Sequence, residues 1–329
     1  MPEPGLSRGT GIALIVLTLL SWSSVPLFLR DFAGFGLDPF ASNGWRYLLS
    51  AAFWLPLLLV LHRRGQMPAG ILRAAAVPVA FNIAGQTAFA WGPTLLEPGF
   101  FSFVFRVQII FVTLGAYLLF PGERALLRTP GYWVGVALVV GGSVGLILFR
   151  AHEPSIGGVG AHVGVKGEAF WLGVGVSLLA GVLFAGYGLS VRHYVGKFHP
   201  VVSFGVICQF TAVGMVVLML LLAKGHGSVA LEMTAGQWGK LVASAFIGIA
   251  ISHVMYYASL KHLGVAVSVG VIQLQPIITA IGSTLIFNER LTVLQWSSGV
   301  VGVAGAIVML RAGARLKKSQ AVAAEAEGT

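Results

Sequence analysis

Residues 108–148 and 275–310 repeat one another, and that duplication constrains the fold more than any other feature of the sequence. Placing Gln108 on Gln275 also sets Gly115 on Gly282 and Phe120 on Phe287. With one residue fewer in the second turn, Glu123-Arg124 falls on Glu289-Arg290; with a shorter loop after it, Gly135 and Gly141 fall on Gly299 and Gly305. Each copy reads as an apolar helix, a short turn carrying Glu-Arg, and a glycine-spaced apolar helix. Repetition on this scale implies one structural unit used twice.

Composition identifies the solvent. Of 329 residues, 57% are apolar and 10% charged, whereas soluble domains carry about a quarter charged residues. The chain therefore reads as an all-α integral membrane protein. Ten apolar runs are long enough to cross a hydrocarbon core: 9–30, 40–61, 71–93, 98–120, 130–150, 168–191, 200–223, 237–260, 264–287 and 292–311. With five in each half, the halves must insert with opposite orientation. The expected architecture is ten transmembrane helices as two inverted five-helix repeats, a plan that places sites near the membrane midplane. The first repeat is residues 1–150, the second 168–311, and a Gly-rich external linker at 151–167 joins them. Residues 312–329, basic and then small and polar, are expected to form a disordered cytoplasmic tail with its basic part near anionic lipid.

Basic residues resist translocation in short loops. With the N-terminus inside, thirteen of the 21 lysines and arginines fall on the inner side and six on the outer, while Arg46 and Arg106 lie within spans. Both termini are therefore expected to be cytoplasmic, with the two Glu-Arg turns on opposite faces. The first run lacks a small-residue cleavage site and reads as a retained span. The net charge of +10 is spread between apolar runs and along the C-terminus, not gathered on one face, so no nucleic acid is expected as a partner. A single cysteine, Cys208, leaves no internal disulfide or cysteine-based metal cluster. Walker and HExxH patterns do not occur, and no catalytic residue, metal or cofactor is expected.

The second half, LKHLGVAVSVGVIQLQPIITAIGSTLIFNERLTVLQWSSGVVGVAGAIVML, resembles the EamA-type families of the drug/metabolite transporter superfamily. Leu260 to Gly264, Pro276, Phe287-Asn288-Glu289-Arg290 and the series Gly299, Gly302 and Gly305 carry the likeness, as do Trp22 and Trp45-Arg46. The resemblance implies an inner-membrane carrier of small metabolites, with spans one, three, four, six, eight and nine lining a central cavity. The first copy has Ile109 where the second has Pro276, so a backbone kink is expected in one half only.

Polar groups inside a membrane are costly and are functional candidates by default. Arg46, near the start of span two, reads as an interfacial anchor that snorkels to the headgroups. Arg106 lies deep in span four, and its permanent charge needs a carbonyl, a ring, water or a substrate carboxylate. His253 in span eight is either satisfied by a hydroxyl or a proton-sensitive, substrate-contacting group; Tyr257 lies one turn on, and Ser252 and Tyr256 share the adjacent face. Asn82 and Gln86 are one turn apart in span three. Trp91 follows, and setting Phe81 on Phe246 puts it opposite Tyr256 in the repeat. The amides Gln108, Gln209, Gln273 and Gln275 serve either as interhelical glue or, with the rings, as the wall of a site for a small amphipathic solute. Substrate-binding roles are accordingly expected for Arg106, Gln108, Gln86, Trp91, His253, Tyr256 and Gln275. Spans lack Asp and Glu away from their ends, which argues against a carboxylate-driven proton antiporter and against a strongly cationic solute. Small residues spaced by four in spans five and ten suit packing within the chain, with a homodimer contact as the alternative. The expected function is alternating-access export of an amino acid or similar metabolite; a vitamin, nucleobase or drug carrier, and a non-transporting scaffold or receptor, are the competing readings.

Overall fold

The computed structural model describes residues 8–120, 125, 129–151, 167–289 and 291–327. Its α-helices are α1 (Arg8–Gly34), α2 (Pro39–Arg63), α3 (Ile71–Leu95), α4 (Pro98–Phe105), α5 (Gln108–Leu119), α6 (Pro130–Ala151), α7 (Glu168–Ser190), α8 (Pro200–Leu222), α9 (Ala235–Ala245), α10 (Ser252–Ile272), α11 (Gln275–Phe287) and α12 (Val293–Glu327). Two wider π-helical segments, Val191–Val195 and Phe246–Ile251, continue α7 and join α9 to α10. Four helices start on a proline, whose fixed φ suits a first turn and whose missing N–H would be unpaired there anyway. Asp38 caps α2 by accepting from the Phe40 and Ala41 amides at 2.9 and 3.0 Å, and Thr234 and Gln237 form a capping box on α9.

The polarity of the molecule is inverted relative to a soluble protein. Val293, Leu285 and Leu118 are 81, 80 and 71% exposed, while Arg46 and Asn82 are 1 and 0% exposed. Apolar atoms outside and polar groups inside fit hydrocarbon as the surrounding medium. Among the described residues, six stretches are long and apolar enough to cross a membrane: Gly9–Gly34, Pro39–Arg63, Pro98–Leu119, Glu168–Val195, Pro200–Leu222 and Ala235–Ser259. Pro130–Leu146, Gln275–Phe287 and Val293–Met309 are shorter apolar helices.

Equivalent helices of the two halves pack on each other antiparallel. Along α2 and α8, Gly44 meets Met219, Ala51 accepts from Gln209, and Leu58 meets Gly205. Along α6 and α12, Gly135 lies against Met309 and Gly305, Gly142 against Gly302, and Gly145 against Ser298. The glycines of spans five and ten thus meet within the chain. Likewise α1 packs on α10 and α11, as α7 packs on α3 and α5. Exchanging the halves leaves this arrangement unchanged, so a two-fold axis across the helices relates them.

Three expectations need correction. The kink expected in one half occurs in both: Arg106-Val107 separates α4 from α5, and Gln273-Leu274 separates α10 from α11. The breaks fall at equivalent positions under the alignment of Gln108 with Gln275. Proline accounts for the second alone; the first lies where Gly181 of α7 comes against the Phe105 carbonyl and the Gln108 amide. The tail expected to be disordered continues α12 as far as Glu327, consistent with the helix propensity of its Ala-rich end. Finally, α10 runs through the expected boundary at 260–264, yet Ser259 Oγ donates to Ser268 Oγ at 3.3 Å. Nine residues of straight helix span about 13.5 Å, so the axis turns sharply between those two serines. The linker at 152–166, Glu123-Arg124 and Arg290 lie outside the described residues.

Candidate functional site

The prolines of spans one and nine build the centre of the site. Pro276 has no N–H to give to the carbonyl four residues earlier, that of Ile272. Arg106, at the break of span four, points Nη1 at this oxygen from 3.5 Å and donates through Nη2 to Gln275 Oε1 at 2.5 Å. Pro26 similarly deprives the Trp22 carbonyl, and Gln275 Nε2 donates to it at 3.0 Å. The neighbouring Ser23 carbonyl accepts from Thr279 Oγ1, also at 3.0 Å. Both broken helices and span one are thereby tied through a single glutamine side chain.

Trp22 extends the chain of contacts. Its Nε1 donates to Ser252 Oγ at 3.0 Å, and its ring centroid lies 4.9 Å from Tyr256 and 5.4 Å from His253. The His253 ring stacks on Phe204 at 4.7 Å and 12°. Its Nδ1 is 3.1 Å from the Ile249 carbonyl; a carbonyl only accepts, so Nδ1 carries the proton there. That carbonyl belongs to the π-helical segment, whose wider turn leaves acceptors for side chains. Ser50 Oγ donates to Ala245 O at 3.0 Å and Trp54 Nε1 to Ala250 O at 3.1 Å. Arg106, Gln275, Tyr256 and His253 thus join in one cluster around Trp22, which the sequence reading used only as a family marker; Pro26 was the signal for it.

Arg46 is not an interfacial anchor. It is 1% exposed, its Nη1 donates to Asn43 Oδ1 at 3.2 Å, and its Nη2 lies against Gly248 of the π-helical segment. Asn43 Nδ2 donates to the Gln86 carbonyl at 2.7 Å, which places Gln86 beside this second group. Asn82 turns elsewhere, donating to Tyr47 Oη and Thr211 Oγ1 at 3.2 and 3.0 Å, and Gln209 donates to Ala51 O at 2.8 Å; both act as glue. Gln108 is half-buried at the start of α5, facing α7 at Gly181. Trp91 packs edge-on against Phe40 at 5.9 Å, near the end of α3, apart from the Trp22 cluster.

Electrostatically the interior is one-sided. The hydrogen-bond acceptors around Arg46 and Arg106 are amide and carbonyl oxygens, and Nε of each is buried without a partner among the described residues. Carboxylates sit at helix ends and bind the halves together there. Glu289 pairs with Arg30 at 3.0 Å and accepts from Ser283 Oγ at 2.5 Å. Asp31 pairs with Lys240 at 2.8 Å, and Asp38 accepts from the Lys224 amide at 3.0 Å. Burial pushes the Glu289 carboxyl above its usual range, while the Ser283 hydrogen bond and the Arg30 charge draw it back.

Two like halves, packed antiparallel around buried polar groups at paired helix breaks, define a multi-pass helical membrane protein of the transporter class. The EamA-like transporter family model matches residues 9–148 and 171–311. The chain belongs to the EamA-like transporter family, one of transporters and not of enzymes, within the drug/metabolite transporter superfamily. A solved crystal structure described only as that of a protein aligns over 94% of this chain and 99% of its own length, with a TM-score of 0.64 at 15% identity; it shares the fold. No curated protein matches the sequence.

Proposed function

We propose that this chain is an inner-membrane permease with ten spans in two inverted repeats and both termini in the cytoplasm. It moves a small amphipathic metabolite, an amino acid or a close analogue, outward by alternating access. The observation that carries the reading is the pair of helix breaks at equivalent positions, joined through Arg106 and Gln275. Interrupted helices at mid-depth expose backbone and side-chain groups that can exchange protein contacts for solute contacts. Arg106 would receive the acidic group, Gln86, Gln108 and Gln275 would hydrogen-bond, and Trp91, Tyr256 and His253 would form the wall.

Alternating access draws support from the ends of the molecule. The contacts of Arg30 with Glu289, Asp31 with Lys240 and Asp38 with Lys224 all join first-half to second-half residues. By the distribution of basic residues this would be the external end, where such contacts would part as the carrier opens outward. With the carboxylates of the described residues confined to helix ends, the protein would act by exchange or facilitated diffusion.

The test is counterflow in proteoliposomes, loaded with unlabelled solute and offered labelled amino acids, vitamins, nucleobases or organic cations. Accumulation of amino acids without a pH gradient is the expected result. Accumulation of another class alone would replace the substrate; accumulation of none by folded protein would favour a scaffold.

A further inference from the structure

The transporter reading leaves Arg46 unused, although it is the larger departure from what a membrane interior tolerates. It is buried more completely than Arg106, and each guanidinium has an Nε without a hydrogen-bond partner among the described residues. A desolvated guanidinium costs several kcal/mol unless an anion or a full set of acceptors surrounds it. Here the acceptors are neutral: Asn43 for Arg46, Gln275 and the Ile272 carbonyl for Arg106.

The two cations also flank one wall. Arg46 lies beside Gly248, and Arg106 is linked through Gln275 to Trp22, whose ring meets Tyr256. Along the same span these positions stand eight residues apart, about 12 Å of helix, with His253 between them. Trp22 covers that interval, in contact with both His253 and Tyr256. A solute passing this wall meets fixed positive charge at each end. An ammonium group would find ring faces, worth about 0.5 to 2 kcal/mol, against repulsion from two guanidiniums.

We propose that Arg46 forms a second anion-binding position beside Asn43 and Gln86, and that the transported solute is a net anion, such as an acidic amino acid or a carboxylate without a balancing ammonium. This deepens the permease reading and rests on it. The amide acceptors act as place-holders: they keep each guanidinium aimed while the site is empty and yield to a carboxylate, whose charge-assisted hydrogen bonds are stronger.

The experiment uses the full-length protein in proteoliposomes and acid–amide pairs of matched shape, L-glutamate with L-glutamine and L-aspartate with L-asparagine, read by tracer counterflow. The acid of each pair should be taken at least about tenfold better. Arg46→Gln should lower exchange of the acid by about tenfold to a hundredfold while changing that of the amide less than about threefold. Arg46→Lys, which keeps the charge but not the fork, should retain preference for the acid and serves if the glutamine variant does not fold. Equal or better uptake of the amides, or an unchanged preference in Arg46→Gln, would overturn the proposal. So would exchange of neutral or cationic solutes with no anion, which leaves the permease reading standing. Absence of exchange by any solute would sink the permease reading itself.

Discussion

Replacing Gln275 by glutamate separates a binding role from a structural one. In the wild type, Gln275 Oε1 accepts from Arg106 at 2.5 Å while Nε2 donates to the Trp22 carbonyl at 3.0 Å. Glutamate at this position keeps the acceptor and gives it a full charge, adding an attraction of about 4 kcal/mol for charges about 4 Å apart at an effective dielectric constant of 20. Against that stand the lost donor to Trp22, about 1 to 3 kcal/mol for an acceptor left unpaired, and the desolvation of a second ion. The terms nearly cancel, so the melting temperature in detergent should stay within a few degrees of wild type. Transport should not. A tethered carboxylate occupies the Arg106 fork, and a solute anion forfeits a hydrogen bond to a charged group worth about 1.5 to 3 kcal/mol, or about tenfold to a hundredfold in exchange. The assay is counterflow beside thermal melting on the same preparation. Wild-type exchange with unchanged half-saturation in Gln275→Glu would refute the reasoning and reduce the Arg106 contact to glue between two broken helices.

The remaining predictions address other links. Gly142→Val places a side chain 2.5 Å from the Gly302 amide nitrogen and the Ser298 carbonyl, backbone atoms that cannot turn aside; it should lower stability by about 1 to 3 kcal/mol. Gly141→Val, facing open space, should leave the melting temperature unchanged. Pro26→Ala restores an N–H to the Trp22 carbonyl, competing with Gln275, and should weaken exchange severalfold while the helix itself melts no earlier. The folded Glu289 carboxyl is raised above its usual 4.5, so the folded protein holds its proton more tightly than the unfolded chain. That contribution to stability is complete below about pH 4.5 and is lost as pH rises through the raised value. Melting temperature plotted against pH should show this decline in the wild type and a flatter course in Glu289→Gln.

Helices were legible because hydropathy is a property of the chain taken one stretch at a time, and their starts were marked by prolines at 39, 98, 130 and 200. What depended on a second helix was not legible. Arg46 lies early in its span and invited an outward reading, yet its guanidinium turns toward Gly248, a neighbour far away in sequence. Asn82 and Gln86 share a face by spacing, but Thr211 and Tyr47 claim the first and leave the second beside Asn43. The break at Arg106-Val107 has no proline to announce it. Pro26 was visible, but the carbonyl it frees acquires meaning only when Gln275 arrives from the other half.

That last contact bears on how occupancy and movement would be coupled in the proposed cycle. The fold is symmetric, whereas its chemistry is not: the position equivalent to Arg106 is Gln273, whose buried Oε1 also lacks a partner. A single cation in the first half therefore grips a single amide in the second, and this bond spans the surface along which the halves would rock in that cycle. A solute carboxylate that takes the Arg106 fork removes the bond between the halves as it binds. Its binding energy is then partly spent in the step that frees them to move, because a ligand shifts a conformational equilibrium only by its differential affinity for the two states. In the proposed cycle, empty protein would keep the Arg106–Gln275 bond and resist the change, and would act as an exchanger, faster with solute on both sides than with solute on one.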